Sequence, residues 1–170
     1  MATTAGLRAS VITISDSSFR GEREDLSGPN VRAVLERLGW TVQCEIAPDD
    51  VAFIQRRLTE VCDRDQVDAI FTTGGTGVAP RDVTPEATRG VIEREIPGLG
   101  EWMRAAGREK TKYSILSRGV SGIRGRTLII NLPGSPKGAT ESLNAIVAVI
   151  PHTIDLIQGR TEHATGETAP

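Results

Sequence analysis

The run from Ile70 to Glu86, Ile-Phe-Thr-Thr-Gly-Gly-Thr-Gly-Val-Ala-Pro-Arg-Asp-Val-Thr-Pro-Glu, restricts the fold more than any other part of the chain. It opens as a buried strand, with Val67, Ala69, Ile70 and Phe71 apolar, and breaks at Gly74-Gly75-Thr76-Gly77. A helix is expected to begin at Thr84-Pro85-Glu86-Ala87, with Thr84 as N-cap and Pro85 at the first helical position. Strand, glycine turn and helix start, in that order, are the unit from which a parallel α/β sheet is built. Successive backbone N–H groups in such a turn point the same way and favour an anion. Asp82 adds a carboxylate suited to a metal. The spacing is neither G-x-G-x-x-G nor G-x-x-x-x-G-K-[ST], so the usual dinucleotide and P-loop fingerprints do not apply. The loop instead reads as a grip for a phosphorylated ligand with magnesium.

Two other strands end in similar chemistry. Arg8 to Ile14 is β-branched and runs into Ser15-Asp16-Ser17-Ser18, a cluster that either contributes ligand donors or simply turns the chain. Leu128-Ile129-Ile130 leads to Asn131-Leu132-Pro133-Gly134-Ser135-Pro136-Lys137. A helix follows, with Ala139, Leu143, Ile146, Val147 and Ile150 on one face. Lys137 either meets a phosphate as a point charge or is a solvated surface lysine. The three strand ends, after Ile14, Phe71 and Ile130, should open on one edge.

The intervening segments complete the pattern. Val31, Val34, Leu35 and Leu38 mark a helix that Gly39 ends, and Trp40 to Ile46 reads as a strand. Val51, Ile54, Leu58, Val61 and Cys62 mark a helix capped by Asp49 or Asp50, which leaves the other aspartate without a capping role. A helix is expected from Pro85 to about Glu93, and another from near Leu99. Val120 to Ile123, a turn at Arg124-Gly125, and Thr127 to Asn131 form a hairpin. The expected architecture is a three-layer α/β domain over residues 8–158, with a mainly parallel sheet and a short antiparallel hairpin. Residues 1–7 and the polar tail 159–170 are expected to be flexible.

At 170 residues the chain suits one domain with a proper core. A net charge of −2 and only six aromatic residues (two Trp, one Tyr, three Phe) argue against nucleic acid as a partner. No apolar run approaches the ~20 residues of a membrane span. Met1 to Gly6 lacks the features of a signal peptide, so a cytoplasmic protein is expected. Cys44 and Cys62 are expected as reduced core thiols. His152 and His163 are too isolated for a zinc site.

Thr72 to Gly77, followed by Arg81-Asp82-Val83-Thr84-Pro85-Glu86-Ala87, closely resembles the signature of molybdopterin adenylyltransferases of the MogA/MoaB type. The likeness extends to Val11–Pro29, Pro48-Asp49, Leu116-Ser117-Arg118, Gly122–Gly125 and Leu128–Gly134, and spans roughly residues 8–158. It is similar to the catalytic branch and to the gephyrin G domain. The resemblance implies adenylyl transfer: molybdopterin and Mg-ATP give adenylyl-molybdopterin and pyrophosphate. It implies that Asp82 and Asp49 are the essential acids, with Asp82 holding magnesium. It also implies substrate contacts from Ser15, Asp16, Gly74, Gly75, Thr76, Gly77, Thr84, Pro85, Glu86, Ser117, Arg118, Asn131, Pro133, Gly134, Ser135 and Lys137. Gly74–Gly77 with Ser15-Asp16 would hold the nucleotide, and Ser117, Arg118 and Pro133–Lys137 the pterin, or the halves are exchanged. A homotrimer and handover to a molybdenum insertase are further implications. Two other readings stay open: a binding module without chemistry, and a trimeric scaffold domain.

Overall fold

The computed structural model describes residues 6–160. Six strands form one sheet in the order β2-β1-β3-β6-β5-β4. They are β1 Arg8–Ile14, β2 Thr41–Ala47, β3 Ala69–Thr73, β4 Arg94–Glu95, β5 Ser121–Arg124 and β6 Thr127–Leu132. β2, β1, β3 and β6 are mutually parallel, whereas β5 runs antiparallel to both β6 and β4. The expected hairpin is therefore present and closes around Gly125, whose φ of +55° suits a residue without a side chain.

Both faces of the sheet are covered, as parallel strands require. On one face lie α2 (Ser27–Arg37), α5 (Pro97–Arg108), α6 (Pro136–Ile146) and α7 (Ile150–Ile157). Val31, Leu35, Met103, Leu143, Ile146 and Ile154 from these helices pack on Val11, Phe71, Leu128 and Ile130. On the other face, α3 (Val51–Glu60) and α4 (Thr84–Arg89) supply Ile54, Leu58 and Ala87, packed on Ile12, Ile70 and Ile129. Phe71 and Ile70, or Ile130 and Ile129, thus serve opposite cores, which is the period-two alternation of a strand. A short helix, α1 (Asp16–Phe19), a π-helical turn at Val61–Asp65 and a 3-10 turn at Lys112–Leu116 complete the main elements.

Three expectations need correction. The helix expected from Pro85 to Glu93 stops at Arg89. Gly90 follows, packed so closely on the Gln55 side chain that a Cβ would overlap it. The chain then extends and pairs Arg94 with Ile123 and Glu95 with Gly122 as an edge strand. Thr84 does not cap its helix with its side chain: its hydroxyl donates to the Gly74 carbonyl at 2.9 Å. Cys44 is exposed on β2, an edge strand whose Gln43 and Ile46 are exposed too, and only Cys62 is a core thiol. The expected flexible ends fall largely outside the described residues, as does His163. Among the described residues no helix is long and apolar enough to cross a membrane.

Candidate active site

β1, β3 and β6 lie side by side and run the same way, so their C-terminal ends meet on one edge. Glycine makes that meeting possible. Gly74 has φ +104° and sits where a Cβ would overlap the Ile14 carbonyl, while its N–H donates to Leu132 O at 3.2 Å. A Cβ on Gly134 would lie 3.1 Å from the Gly74 Cα. The turn is also pinned to α4, because the Thr84 amide donates to Gly75 O at 3.1 Å and its hydroxyl to Gly74 O. Thr84 is fully buried and Pro85 buried behind it, so both shape the turn from beneath.

Carboxylates surround this turn. Asp50 accepts from Phe53 N at 2.7 Å and is the cap of α3, which frees Asp49 from that role. Asp49 and Asp16 brace each other. The Asp16 amide donates to Asp49 Oδ2 at 2.9 Å, and the Asp49 amide donates to Asp16 Oδ1 at 3.0 Å. Arg81 closes the group by donating to Asp16 Oδ2 through Nε and Nη2, at 3.0 and 2.6 Å. The Arg81 hydrogen bond holds the Asp16 carboxyl below its usual pKa of 3.8. Burial pushes Asp49 above the same value, and the neighbouring charges of Asp16 and Asp82 act in the same direction. Two carboxyls in reciprocal contact are therefore set apart by one guanidinium and by burial.

Asp82 Oδ2 accepts from Ala79 N at 2.9 Å, and a Cβ on Gly77 would lie 2.7 Å from that oxygen. A Cβ on Gly75 would overlap Thr84 Oγ1 and approach Asp49 Oδ1 to 3.1 Å. Gly75 and Gly77 are thus the floor on which the two acids rest. Among the described residues no group of three His, Cys, Asp or Glu side chains forms a metal cluster.

Two compartments open from this floor. One, of about 470 Å³, is mainly apolar and runs between α5, the 3-10 turn and α6; Met103, Leu116, Pro133 and Ser117 line it. The other, of about 390 Å³, is polar and lies under α1 and the start of α2; Ser15, Ser18, Asp25, Ser27 and Asp49 line it. They share Gly75, Asp82, Gly134 and Ser135. The Ser135 Oγ accepts from Gly138 N at 3.0 Å as the cap of α6, which leaves its O–H to donate.

Most of the residues singled out in the sequence come together here, but not all in the role expected. Gly74 and Ser15 line the polar side, and Thr76, Gly77, Ser117, Asn131 and Pro133 the apolar side. Asp16 and Glu86 line neither compartment and act as braces. Arg118 does the same: it donates to Gly77 O and Asp82 O, each at 2.7 Å, and pairs with Glu86. Asn131 is 1% exposed and its amide is fully engaged, donating to Thr72 and Thr88 and accepting from Val120 N. Lys137 lies outside both compartments with its side chain 82% exposed, 4.0 Å from Glu141. The structure brings in residues to which the sequence reading gave no site role, chiefly Arg81, Asp25 and Met103 of α5. Asp25 accepts from Gly28 N at 3.0 Å and from the Thr13 hydroxyl at 2.7 Å. An Asp three residues before the first helical turn's amide is a capping signal that could have marked it.

Residues 10–152 match a family described as a probable molybdopterin binding domain. A molybdopterin adenylyltransferase of Helicobacter pylori (strain J99) is 43% identical over 152 residues, covering 88% of this chain and 86% of the relative. The protein of the same name from Escherichia coli K12 is 38% identical, with 90% and 86% covered. The molybdenum cofactor synthesis protein cinnamon of Drosophila melanogaster is 44% identical over 149 residues. There this chain spans only 25% of the longer protein. Among solved structures, the molybdopterin biosynthesis enzyme MoaB of Thermus thermophilus superposes with a TM-score of 0.84 at 51% identity, covering 90% of this chain and 97% of that one. A MogA structure gives the same TM-score at 39% identity, covering 88% and 99%. The matches in sequence and in fold therefore point one way, and the chain belongs to the molybdopterin-binding family of molybdenum cofactor biosynthesis proteins.

Proposed function

We propose that this chain is a molybdopterin adenylyltransferase, a nucleotidyltransferase that moves AMP from ATP to the terminal phosphate of molybdopterin. One observation carries the reading: two compartments of opposite character meet at Gly75, Asp82, Gly134 and Ser135, with Asp49 beside the junction on the polar side. Two polyanions laid end to end need such a site, a heterocycle on each side and phosphates in the middle. The apolar compartment suits adenine, whose ring faces gain from Met103, Leu116 and Pro133. The polar one suits the hydrogen-bonding pterin. Of the two arrangements the sequence left open, this reading takes the exchanged one.

The chemistry asks little of a base. The second pKa of a phosphate monoester is about 6, so molybdopterin arrives mostly as a dianion near neutrality. One of its oxygens forms a bond to the α-phosphorus of ATP. The bond from that phosphorus to the α–β bridging oxygen breaks, and the electron pair leaves with pyrophosphate. The residues at the junction act by alignment and charge. The Gly74–Gly77 amides and the Ser135 O–H are donors there, and Arg118 keeps the loop in shape from behind.

The donor set fits magnesium. Asp82 Oδ2 is engaged by Ala79 and Asp49 Oδ2 by Asp16, which leaves an Oδ1 on each without a protein hydrogen bond among the described residues. One or two carboxylates and several waters are what this ion takes. Asp82, with Asp49, would hold it, and it would supply charge neutralisation on the phosphates.

Incubation of the purified protein with molybdopterin, ATP and magnesium should yield adenylyl-molybdopterin and pyrophosphate in equal amounts. Binding of molybdopterin without either product would favour a carrier module instead. Asp82→Asn should keep molybdopterin bound and lose most turnover; a normal rate would remove Asp82 from the metal. The reading extends to a cytoplasmic homotrimer that passes its product to a molybdenum insertase. Trp102, Ile115 and Leu156 are exposed, apolar surface that subunit contact would cover, and light scattering of the purified protein tests the assembly.

A further inference from the structure

A third cavity, of about 330 Å³, lies behind the apolar compartment, against the N-terminus of α5, the edge strand β4 and its neighbour β5. Its walls include Arg89, Arg104 and Arg118, opposed by the single carboxylate of Glu95. Four features of this cavity converge on one ligand chemistry.

The first is the helix end. α5 has twelve residues, begins with Pro97 and has no side-chain hydrogen bond at its N-cap, Ile96. Pro97 has no N–H and the Leu99 amide donates to Ile96 O at 3.3 Å, but the turn has no side-chain acceptor, and its positive end lies at the cavity, which Pro97 and Gly100 line. The second is the placing of Arg104. Its guanidinium folds back over the first turn of its own helix, with Nη1 3.2 Å from where a Gly100 Cβ would sit. A cation at the positive end of a helix is opposed by the dipole. Its one side-chain hydrogen bond among the described residues, from Nη1 to Ser117 O, is stretched to 3.5 Å. The third is Arg89, whose carboxylate neighbour, Glu95, is 3.9 Å away, too far for a well-formed pair. The fourth is Ser121. It is 1% exposed, lines the cavity, and its Oγ has no hydrogen-bond partner among the described residues. An orphaned buried hydroxyl is costly unless something else satisfies it.

Each feature offers a donor or a positive charge, and each is poorly satisfied by the protein around it. We propose that this cavity is an anion site, distinct from the substrate cleft, that takes a tetrahedral oxyanion such as inorganic phosphate. Arg89 and Arg104 would supply the charge, the Ser121 O–H a directed hydrogen bond and the first turn of α5 its dipole. Arg118 is committed to Gly77, Asp82 and Glu86 and contributes only its field. Arg104, Gly100, Ser117 and Gly119 line both this cavity and the apolar compartment. An anion here would therefore hold Arg104 against the shared wall and be felt on the other side of it.

The test is calorimetric titration of inorganic phosphate into the full chain, compared with Arg89→Gln and Ser121→Ala. Neither residue lines the substrate cleft. Saturable binding at one site, weakened about tenfold or more in each variant, is the expected result. Arg89 is surface-exposed and loss of an orphaned hydroxyl leaves no new unpaired group, so both variants should fold, as circular dichroism will verify. Absence of saturable binding in the unmodified chain would overturn the proposal. Equal affinity in all three proteins would also overturn it, by placing the phosphate in the cleft.

Discussion

Replacing Gly75 by alanine tests whether the floor of the cleft is held as tightly as its geometry says. Gly75 has φ +64°, and left-handed backbone costs a residue with a Cβ about 1–2 kcal/mol. The new methyl would also overlap Thr84 Oγ1. That hydroxyl is buried and bonded to Gly74 O, so displacing it leaves unpaired groups worth about 1–3 kcal/mol. The sum is about 2–5 kcal/mol, or a fall in Tm of about 4–20 °C for a domain of this size. Urea and thermal melts of Gly75→Ala would show it. The two contributions separate in a double-mutant cycle with Thr84→Ala. There the methyl meets the Cβ of residue 84 at 3.4 Å, an ordinary contact, and Asp49 Oδ1 at 3.1 Å, the movable end of a side chain. Gly75→Ala should then cost little more than the backbone part. An equal loss in both backgrounds would refute the claim that Thr84 is the obstacle. A loss below about 0.5 kcal/mol would refute the backbone argument as well.

Gly74→Ala meets the Ile14 carbonyl, a backbone atom that no side-chain truncation can remove. It should be more damaging than Gly75→Ala and resist rescue, as melts will show. Asn131→Ala leaves the Thr72 and Thr88 hydroxyls and the Val120 amide without their partner. It should cost about 3–5 kcal/mol in urea unfolding. Arg81→Met should let the Asp16 pKa, followed by carboxyl NMR, rise toward its usual value. Because Arg81 lowers that pKa in the folded state, its stabilising effect is present above the usual 3.8 and fades as pH falls through the depressed value. The stability gap between the two proteins should therefore close in acid. Titration with Ellman's reagent should find one reactive thiol, Cys44, in the native protein and a second only on unfolding. Cys62 is buried, and burial pushes its pKa up to about 12.

The sheet was legible in the sequence because Ile70, Ile129 and their neighbours must be buried on both faces, and a continuous apolar run says so. The three polar strand ends were legible for the same reason, since nothing but a turn can follow such a run. Asp49 and Asp50 were not distinguishable by adjacency. Only the backbone decides which of them reaches Phe53 N and which reaches across to Asp16. Arg118 and Lys137 look alike as cations beside loops, yet one is tied to Gly77, Asp82 and Glu86 and the other stands in solvent. Local patterning carries no information on direction. Arg89, Arg104 and Ser121 come from α4, α5 and β5 and share no motif, so their meeting was beyond reading from the chain.

The reversal at Gly125 has a practical consequence. β5 runs opposite to its neighbour β6, so the turn joining them sits at the far end of the sheet from the cleft. A Cβ on Gly125 would meet nothing within 4 Å. A reporter peptide or fluorophore spliced between Gly125 and Arg126 would ride on firmly packed strands without entering either compartment. Handling the protein by that loop offers a way to follow substrate capture from a distance.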